Sequence, residues 1–160
     1  MAQQTEDRAD EATIRAIATA EAGRPGALMP ILVAVQRRFG WLPPATVEIV
    51  ADVLNVSRAD VAGVASFYAD FRIEPAGRLV VGVCRAEACQ AAGGEALAAY
   101  AEERLGCGFG ATAADGSATL DAVYCFGNCA LAPAASVGGR LIGRASPERL
   151  DAAIRAETER

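Results

Sequence analysis

The chemistry available to this chain of 160 residues is confined to its five cysteines, because histidine is absent and every basic residue is arginine. Without an imidazole there is no neutral-pH acid or base of the usual kind, no His-activated nucleophile and no His-ligated metal. Four of the cysteines form two close pairs, Cys84-Arg85-Ala86-Glu87-Ala88-Cys89 and Cys125-Phe126-Gly127-Asn128-Cys129. Each pair follows a strand-like run, and thiolates fixed at strand ends can converge with little further loss of entropy. Loops of this width let two sulfurs grip one iron while backbone amides fold toward inorganic sulfide, as a four-cysteine [2Fe-2S] cluster requires. Structural zinc takes the same four sulfurs but favours shorter knuckles, so the spacings fit it less well. A thiol exchanger would carry Cys-x-x-Cys at the first strand end, which is missing, and disulfides are disfavoured in a chain read as lacking an export signal. Cys107 stands alone after Gly106 and reads as a small buried hydrophobe.

The flanks of the pairs carry a second layer of reasoning. Gly127 lies between two candidate ligands and permits a positive φ or the close approach of an amide to sulfur, and Gly82 precedes the first strand end. Two ferric ions, two sulfides and four thiolates sum to a charge of about −2, so amide donors lower the cost of the cluster. Arg85, if turned toward it, would raise its potential, whereas a solvated Arg85 would not. Val83, Tyr124, Phe126, Ala130, Leu131 and Pro133 are expected to form an apolar shell that limits access of water.

The elements that must position these residues can be read from periodicity and punctuation. Ile14, Ile17 and Ala18 predict a first helix from about Asp10 to Ala22, ended by Arg24-Pro25-Gly26. Pro30 is tolerated only in a first turn, which sets a second helix over Leu28 to Arg38, stopped at Gly40. Val47, Val50 and Leu54 predict a third helix after Pro44 with Asn55 as its stop. Ser57-Arg58-Ala59-Asp60 is a variant capping box opening a fourth, through about Ala65. The apolar stripes of these helices read as core.

From Arg78 the pattern changes. Leu79-Val80-Val81-Gly82-Val83 predicts a buried strand leading into Cys84, and Leu97, Ala101 and Leu105 mark a helix ended by Gly106. Asp115-Gly116 and Gly138-Gly139 are hairpin signals, the first before a strand at Ala118 to Tyr124, the second joining Ala135–Val137 to Arg140–Ile142. Ser146-Pro147-Glu148 opens a closing helix with Leu150 and Ile154. The expected fold class is α/β: a small helical bundle over 1–74, then a domain over 75–160 with a thioredoxin-like layout. No internal repeat is present.

Composition narrows the function further. With 15 basic and 20 acidic residues the net charge is −5, the reverse of a nucleic-acid-binding footprint, so no nucleic-acid partner is expected. The longest apolar stretch, Ala27 to Val35, is broken by Pro30 and flanked by arginines, which argues against membrane insertion. Met1 to Glu11 is acidic and polar, unlike an export signal, and a cytoplasmic location is expected. No Gly-rich phosphate loop is found, so the chain by itself is expected neither to bind NAD or flavin nor to have a substrate site or catalytic residues.

Over Arg24 to Ile154 the sequence resembles the thioredoxin-like [2Fe-2S] ferredoxin subunits of NADH-dehydrogenase-type complexes, the 24 kDa-type subunit family. The resemblance is carried by Leu28-Met29-Pro30-Ile31-Leu32 with Gln36, Phe39-Gly40-Trp41-Leu42-Pro43, Ala65-Ser66-Phe67-Tyr68, Pro75-Ala76-Gly77-Arg78, and both cysteine pairs with Pro133. It implies one [2Fe-2S] cluster held by Cys84, Cys89, Cys125 and Cys129, and a bundle docked on a flavin- and NAD-binding beta-type subunit. Val83 to Ala91, Val123-Tyr124-Cys125 and Ala132-Pro133-Ala134-Ala135 look most like the gamma subunit of NAD-dependent molybdenum formate dehydrogenases. That closer likeness implies a molybdenum-containing large subunit, with FMN, NAD, further iron–sulfur clusters and the molybdenum cofactor all in partner chains. The equivalent subunit of a respiratory NADH:quinone oxidoreductase or of an NAD-reducing hydrogenase is the alternative. A zinc-stabilised interaction module is the alternative of another class. Phe126 and Asn128 depart from the aliphatic or small residues the family pattern leads one to expect there.

Overall fold

The computed structural model of the chain describes residues 2–159, with side chains from residue 10 onward. Contacts divide the chain into two compact units, Met1–Pro75 and Ala76–Arg160.

The first unit is built from helices α1 (Ala2–Glu21), α2 (Leu28–Phe39), α3 (Ala45–Leu54) and α4 (Arg58–Phe67). Each buries one stripe: Ile14 and Ala18 of α1, Ile31, Leu32 and Val35 of α2, Ile49 and Val50 of α3, Val61 and Ala65 of α4. These apolar residues recur at helical spacing, so a single face of each helix leaves water. Helix ends follow the punctuation. Gly40 and Asn55 stop α2 and α3 in the left-handed region, at φ 82° and 52°. Ser57 and Asp60 form a reciprocal capping box at the start of α4. Helix α1 begins well before the expected Asp10, since polar helix formers such as Gln and Glu extend a helix beyond its apolar stripe. Gln36 of α2 acts as a clamp, donating from Nε2 to the carbonyl of Asp70 at 2.6 Å and accepting from the Arg72 amide at 2.7 Å.

The second unit is a five-stranded sheet of order β2-β3-β1-β4-β5. Its strands are β1 (Leu79–Cys84), β2 (Ala111–Thr112), β3 (Ala118–Val123), β4 (Ala135–Val137) and β5 (Arg140–Ile142), and its helices are α5 (Glu87–Ala91), α6 (Gly94–Leu105) and α7 (Pro147–Thr158). The chain leaves β1, crosses over through α5 and α6, and returns as β3 parallel to β1, while β2–β3, β1–β4 and β4–β5 are antiparallel. Both Gly-containing hairpins form as their sequences require. The thioredoxin-like α/β class expected from the sequence is the class observed.

Strand alternation divides the work of the sheet. Val81 and Val83 of β1 with Leu120 of β3 face α6 and α7, where Leu97, Ala98, Ala101, Leu150 and Ile154 complete the main core. Cys84 falls on the opposite face and joins a small cluster of its own with Cys89 and Ala134. The two helices are also tied by polar groups: the Tyr100 hydroxyl donates to Asp151 Oδ2 and the Arg104 guanidinium to Oδ1, each at 2.8 Å. The Tyr100 hydrogen bond, with help from Arg104 and against partial burial, holds the Asp151 carboxyl below the ordinary carboxylate range.

Leu120 is fully buried at the centre of this core, so Leu120→Ala is expected to cost about 2–5 kcal/mol in chemical denaturation. Tyr100→Phe should lower the melting temperature at neutral pH, because a carboxyl with a depressed native pKa stabilises the fold above its unfolded-state pKa. The gap between variant and parent should close on acidification, as the pH falls through the native titration of Asp151; a gap independent of pH would show that the hydrogen bond is not its origin.

Candidate functional site

The two cysteine loops come together because β1 and β3 are parallel neighbours. Cys84, the last residue of β1, stands in register with Val123, and Cys125 follows two residues later. The ladder continues past both strand ends, with the Arg85 amide donating to the Val123 carbonyl at 2.8 Å and the Cys84 amide to the Ala134 carbonyl at 3.0 Å. Cys89 lies in α5, a short helix where the sequence pattern predicts open loop. Ala86 initiates it by accepting from the amides of Cys89 and Gln90, each at 3.0 Å, and Gln90 Nε2 closes back on the Arg85 carbonyl at 2.8 Å. Alanine, glutamate and glutamine are strong helix formers, which accounts for a turn of helix inside the first pair.

The second pair is shaped differently. Cys125 takes a positive φ of 117°, Gly127 one of 75°, and the Gly127 amide donates to the Cys125 sulfur at 3.3 Å. Cys129 opens a 3-10 turn, Cys129–Leu131, which brings its sulfur to 3.6 Å from that of Cys125.

Backbone dipoles determine the electrostatics. Burial pushes the Cys84 thiol up, but the Ala86 amide, the Cys89 thiol and the amides of Phe126 and Cys125 outweigh it, and its pKa falls below the ordinary thiol value. Those donors come from both cysteine loops. Cys89 is shifted upward by burial and by donating to Cys84, and Cys129 by donating to Cys125 and by the charge of that neighbour. Among the described residues no three His, Cys, Asp or Glu side chains gather as a site for a single ion; the thiols stand as two pairs. A diiron core takes one pair per iron, and a soft, all-sulfur donor set with amides directed at it suits such a core. The residues present fit the group.

The surroundings differ in part from expectation. Cys84 and Cys89 are buried, packed with Ala134 and partly with Ala86, Phe126 and Ala132, whereas Cys125 and Cys129 are exposed. Val83 belongs to the helix-side core, and Tyr124, Ala130 and Leu131 are exposed, so the shell is one-sided rather than closed. Phe126 fills the space opposite the side-chain-free Gly82. Arg85 is neither a free surface cation nor aimed at the sulfurs. Its guanidinium binds both Glu95 oxygens, at 3.0 and 3.1 Å, and stacks 5.0 Å from the centre of the Phe109 ring. Glu95 compensates its charge, so Arg85 braces the loop between β1 and α6. Cys107, expected to be buried, is only half-buried and packs against the edge of the helix-side core.

Residues 14–158 match the family described as thioredoxin-like [2Fe-2S] ferredoxin. This chain belongs to that family. Its members hold one [2Fe-2S] cluster, which is the cofactor the thiol pairs suit. The chain is 39% identical over 141 residues to an NADH-quinone oxidoreductase subunit of Rhizobium meliloti (strain 1021), the second of its E type, covering 88% of this chain and 84% of that one. It is 37% identical to NADH-quinone oxidoreductase subunit 2 of Thermus thermophilus, over 84% of this chain and 76% of the relative. Identity to the HndA chain of the NADP-reducing hydrogenase of Solidesulfovibrio fructosivorans is 36%, over 78% and 72% of the two chains. In fold, the ferredoxin-family chain resembles part of a crystal structure of an NAD+-reducing [NiFe]-hydrogenase in the air-oxidized state, with a TM-score of 0.68 at 24% identity over 80% of this chain and 22% of that one. The relatives named are subunits of NADH-quinone oxidoreductases and of an NADP-reducing hydrogenase, and no helix among the described residues of this chain is long and apolar enough to cross a membrane.

Cys125→Ser is expected to abolish or severely perturb the visible spectrum obtained when the chain is loaded with iron and sulfide, and Cys107→Ser to leave it unchanged. Equal losses from both variants would contradict the choice of thiols.

Proposed function

We propose that this chain is the electron-transfer subunit of a complex of the NADH:quinone oxidoreductase or NAD(P)-reducing hydrogenase type, with Cys84, Cys89, Cys125 and Cys129 holding its single cluster. The observation that carries this reading is that backbone amides of the second cysteine loop, those of Cys125 and Phe126, reach the Cys84 sulfur of the first at the ends of parallel β1 and β3. When bound, the cluster supplies a site that accepts and releases one electron. The chain contributes rigidity and field. Strand-end backbone fixes the sulfurs, amides from both loops offset their negative charge, and the Phe126 ring with Ala132 and Ala134 keeps water from the Cys84–Cys89 side.

The two units correspond to two domains in this reading: residues 1–74 as a bundle that recognises a flavin- and NAD-binding partner, and residues 75–160 as the cluster domain. The exposed Cys125–Cys129 edge, rimmed by Tyr124 at 80% and Leu131 at 41% exposure, is the side from which an electron enters. Relatives named as NADH-quinone oxidoreductase and hydrogenase subunits favour this reading over the formate dehydrogenase one to which Val83 to Ala91 points. None of the relatives named above is a formate dehydrogenase, and a molybdenum-containing partner has no support beyond that local likeness. A site built on reduced thiols suits a reducing compartment such as the cytoplasm.

Purified anaerobically, the full chain should be red-brown, contain iron and sulfide in equal amounts and give an electron paramagnetic resonance signal after one-electron reduction. Alone it should show no NADH-dependent dye reduction. A colourless chain with stoichiometric zinc would overturn the proposal, and the large subunit that copurifies with the native complex, nickel–iron, quinone-linked or molybdenum-containing, identifies which assembly it serves.

A further inference from the structure

Two glycines that the backbone does not demand stand against the two cysteine pairs. Gly94 and Gly143 both lie outside the left-handed region, so conformational freedom does not account for them. What each position lacks is space. A Cβ at Gly94, the first residue of α6, would fall 2.5 Å from the carbonyl oxygen of Cys89 and 2.8 Å from its carbonyl carbon. A Cβ at Gly143, just past β5, would fall 2.7 Å from the Leu131 Cβ and 2.9 Å from Asn128 Nδ2. Asn128 and Leu131 bracket the turn that carries Cys129. That turn is pinned to the same strand end, the Arg144 amide donating to the Leu131 carbonyl at 2.6 Å and the Ala145 amide to the Pro133 carbonyl at 2.8 Å.

We infer that Gly94 and Gly143 are positioning residues, one for each thiol pair: they let the backbone of Cys89 and the turn of Cys129 sit directly on the main chain of α6 and of the β5 end. Ordinary contact begins at 3.4 Å, so a methyl at Gly94 forces the Cys89 carbonyl back by about 1 Å, beyond the tolerance of roughly 0.5 Å for a preorganised site. At Gly143 the retreat is slightly smaller, and it displaces the other loop. The two substitutions therefore disturb the four-sulfur geometry from opposite pairs, while leaving every sulfur in place chemically. Gly108 provides the contrast. It too avoids the left-handed region, and the nearest atom to its Cβ would be Glu102 Oε1 at 3.6 Å, an ordinary contact.

This inference rests on the proposal that the four thiols hold an iron–sulfide core. Its test uses the full chain as Gly94→Ala, Gly143→Ala and Gly108→Ala, each loaded with ferric iron and sulfide. The readouts are the resonance g-values after reduction, the rate of iron loss to a chelator, and the far-UV circular dichroism of the metal-free chains. Gly94→Ala and Gly143→Ala should keep the parental circular dichroism, because loops free of metal can relax by the required distance. They should nevertheless show shifted g-values and lose iron about tenfold faster or more, the range for disturbed support of a metal site, while Gly108→Ala follows the parent. Parental g-values and iron loss in both variants would overturn the inference, as would collapse of their circular dichroism, which would assign these glycines to the fold at large. A parent chain that takes up no iron and sulfide defeats the functional reading itself, a result visible without any variant.

Discussion

Four thiolates repel one another, and a site that gathers them needs positive partners close at hand. In this chain those partners are backbone amides, since lysine and histidine are absent and the arginine beside the first pair is committed to Glu95. The amides of Ala86, Cys125 and Phe126 act on the Cys84 sulfur, and that of Gly127 on Cys125. Amide dipoles cost no counter-ion and no side-chain entropy, and they are held by the same chain segments that carry the sulfurs. Every other feature of the site follows from the need to hold those segments still: the parallel pairing of β1 with β3, the helical turn around Cys89, the left-handed residues after β3.

The sheet meets this requirement by using its two faces differently. One face is closed by α6 and α7 over Val81, Val83 and Leu120 and supplies most of the hydrophobic stabilisation of the second unit. The other face is sparse at the strand ends, with Gly82, Cys84 and small alanines, so the cysteine loops can fold down onto it. Placing the thiols at strand ends rather than in long loops puts little flexible chain between the rigid core and each sulfur. The site is asymmetric, two thiols buried and two exposed; in the proposed role a cluster held there would be shielded from water on one side and open to a partner on the other.

Several sequence-level expectations change in the folded chain. Arg85 is next to a cysteine in sequence, yet the pull of Glu95 and the Phe109 ring turns its guanidinium away from the sulfurs. Val83 precedes Cys84 directly, and strand alternation sends it to the opposite face, out of the shell expected for it. The short helix holding Cys89 is hidden in the sequence because it has no periodic stripe, only a few good helix formers. The local likeness of Val83 to Ala91 points to formate dehydrogenase, while relatives matched along most of the chain are NADH-quinone oxidoreductase and hydrogenase subunits. A stretch of nine residues around a cysteine pair reflects cluster chemistry that many complexes share, so it discriminates poorly among them.

The residue pattern alone was sufficient for the inventory and the local elements. Two cysteine pairs without histidine define a thiolate site, and helix stops at Gly40, Asn55 and Gly106, the Ser57 capping box and the two Gly-containing hairpins are local signals that act through their own backbone. Which strand lies beside which was not legible, because pairing of β1 with β3 depends on contacts far apart in sequence. Only the folded chain decided that the two cysteine loops meet, that amides of one loop reach the sulfur of the other, and that Gly94 and Gly143 stand where a methyl has no room. Local order follows from neighbours along the chain, whereas convergence follows from neighbours in space, and the site belongs to the second kind.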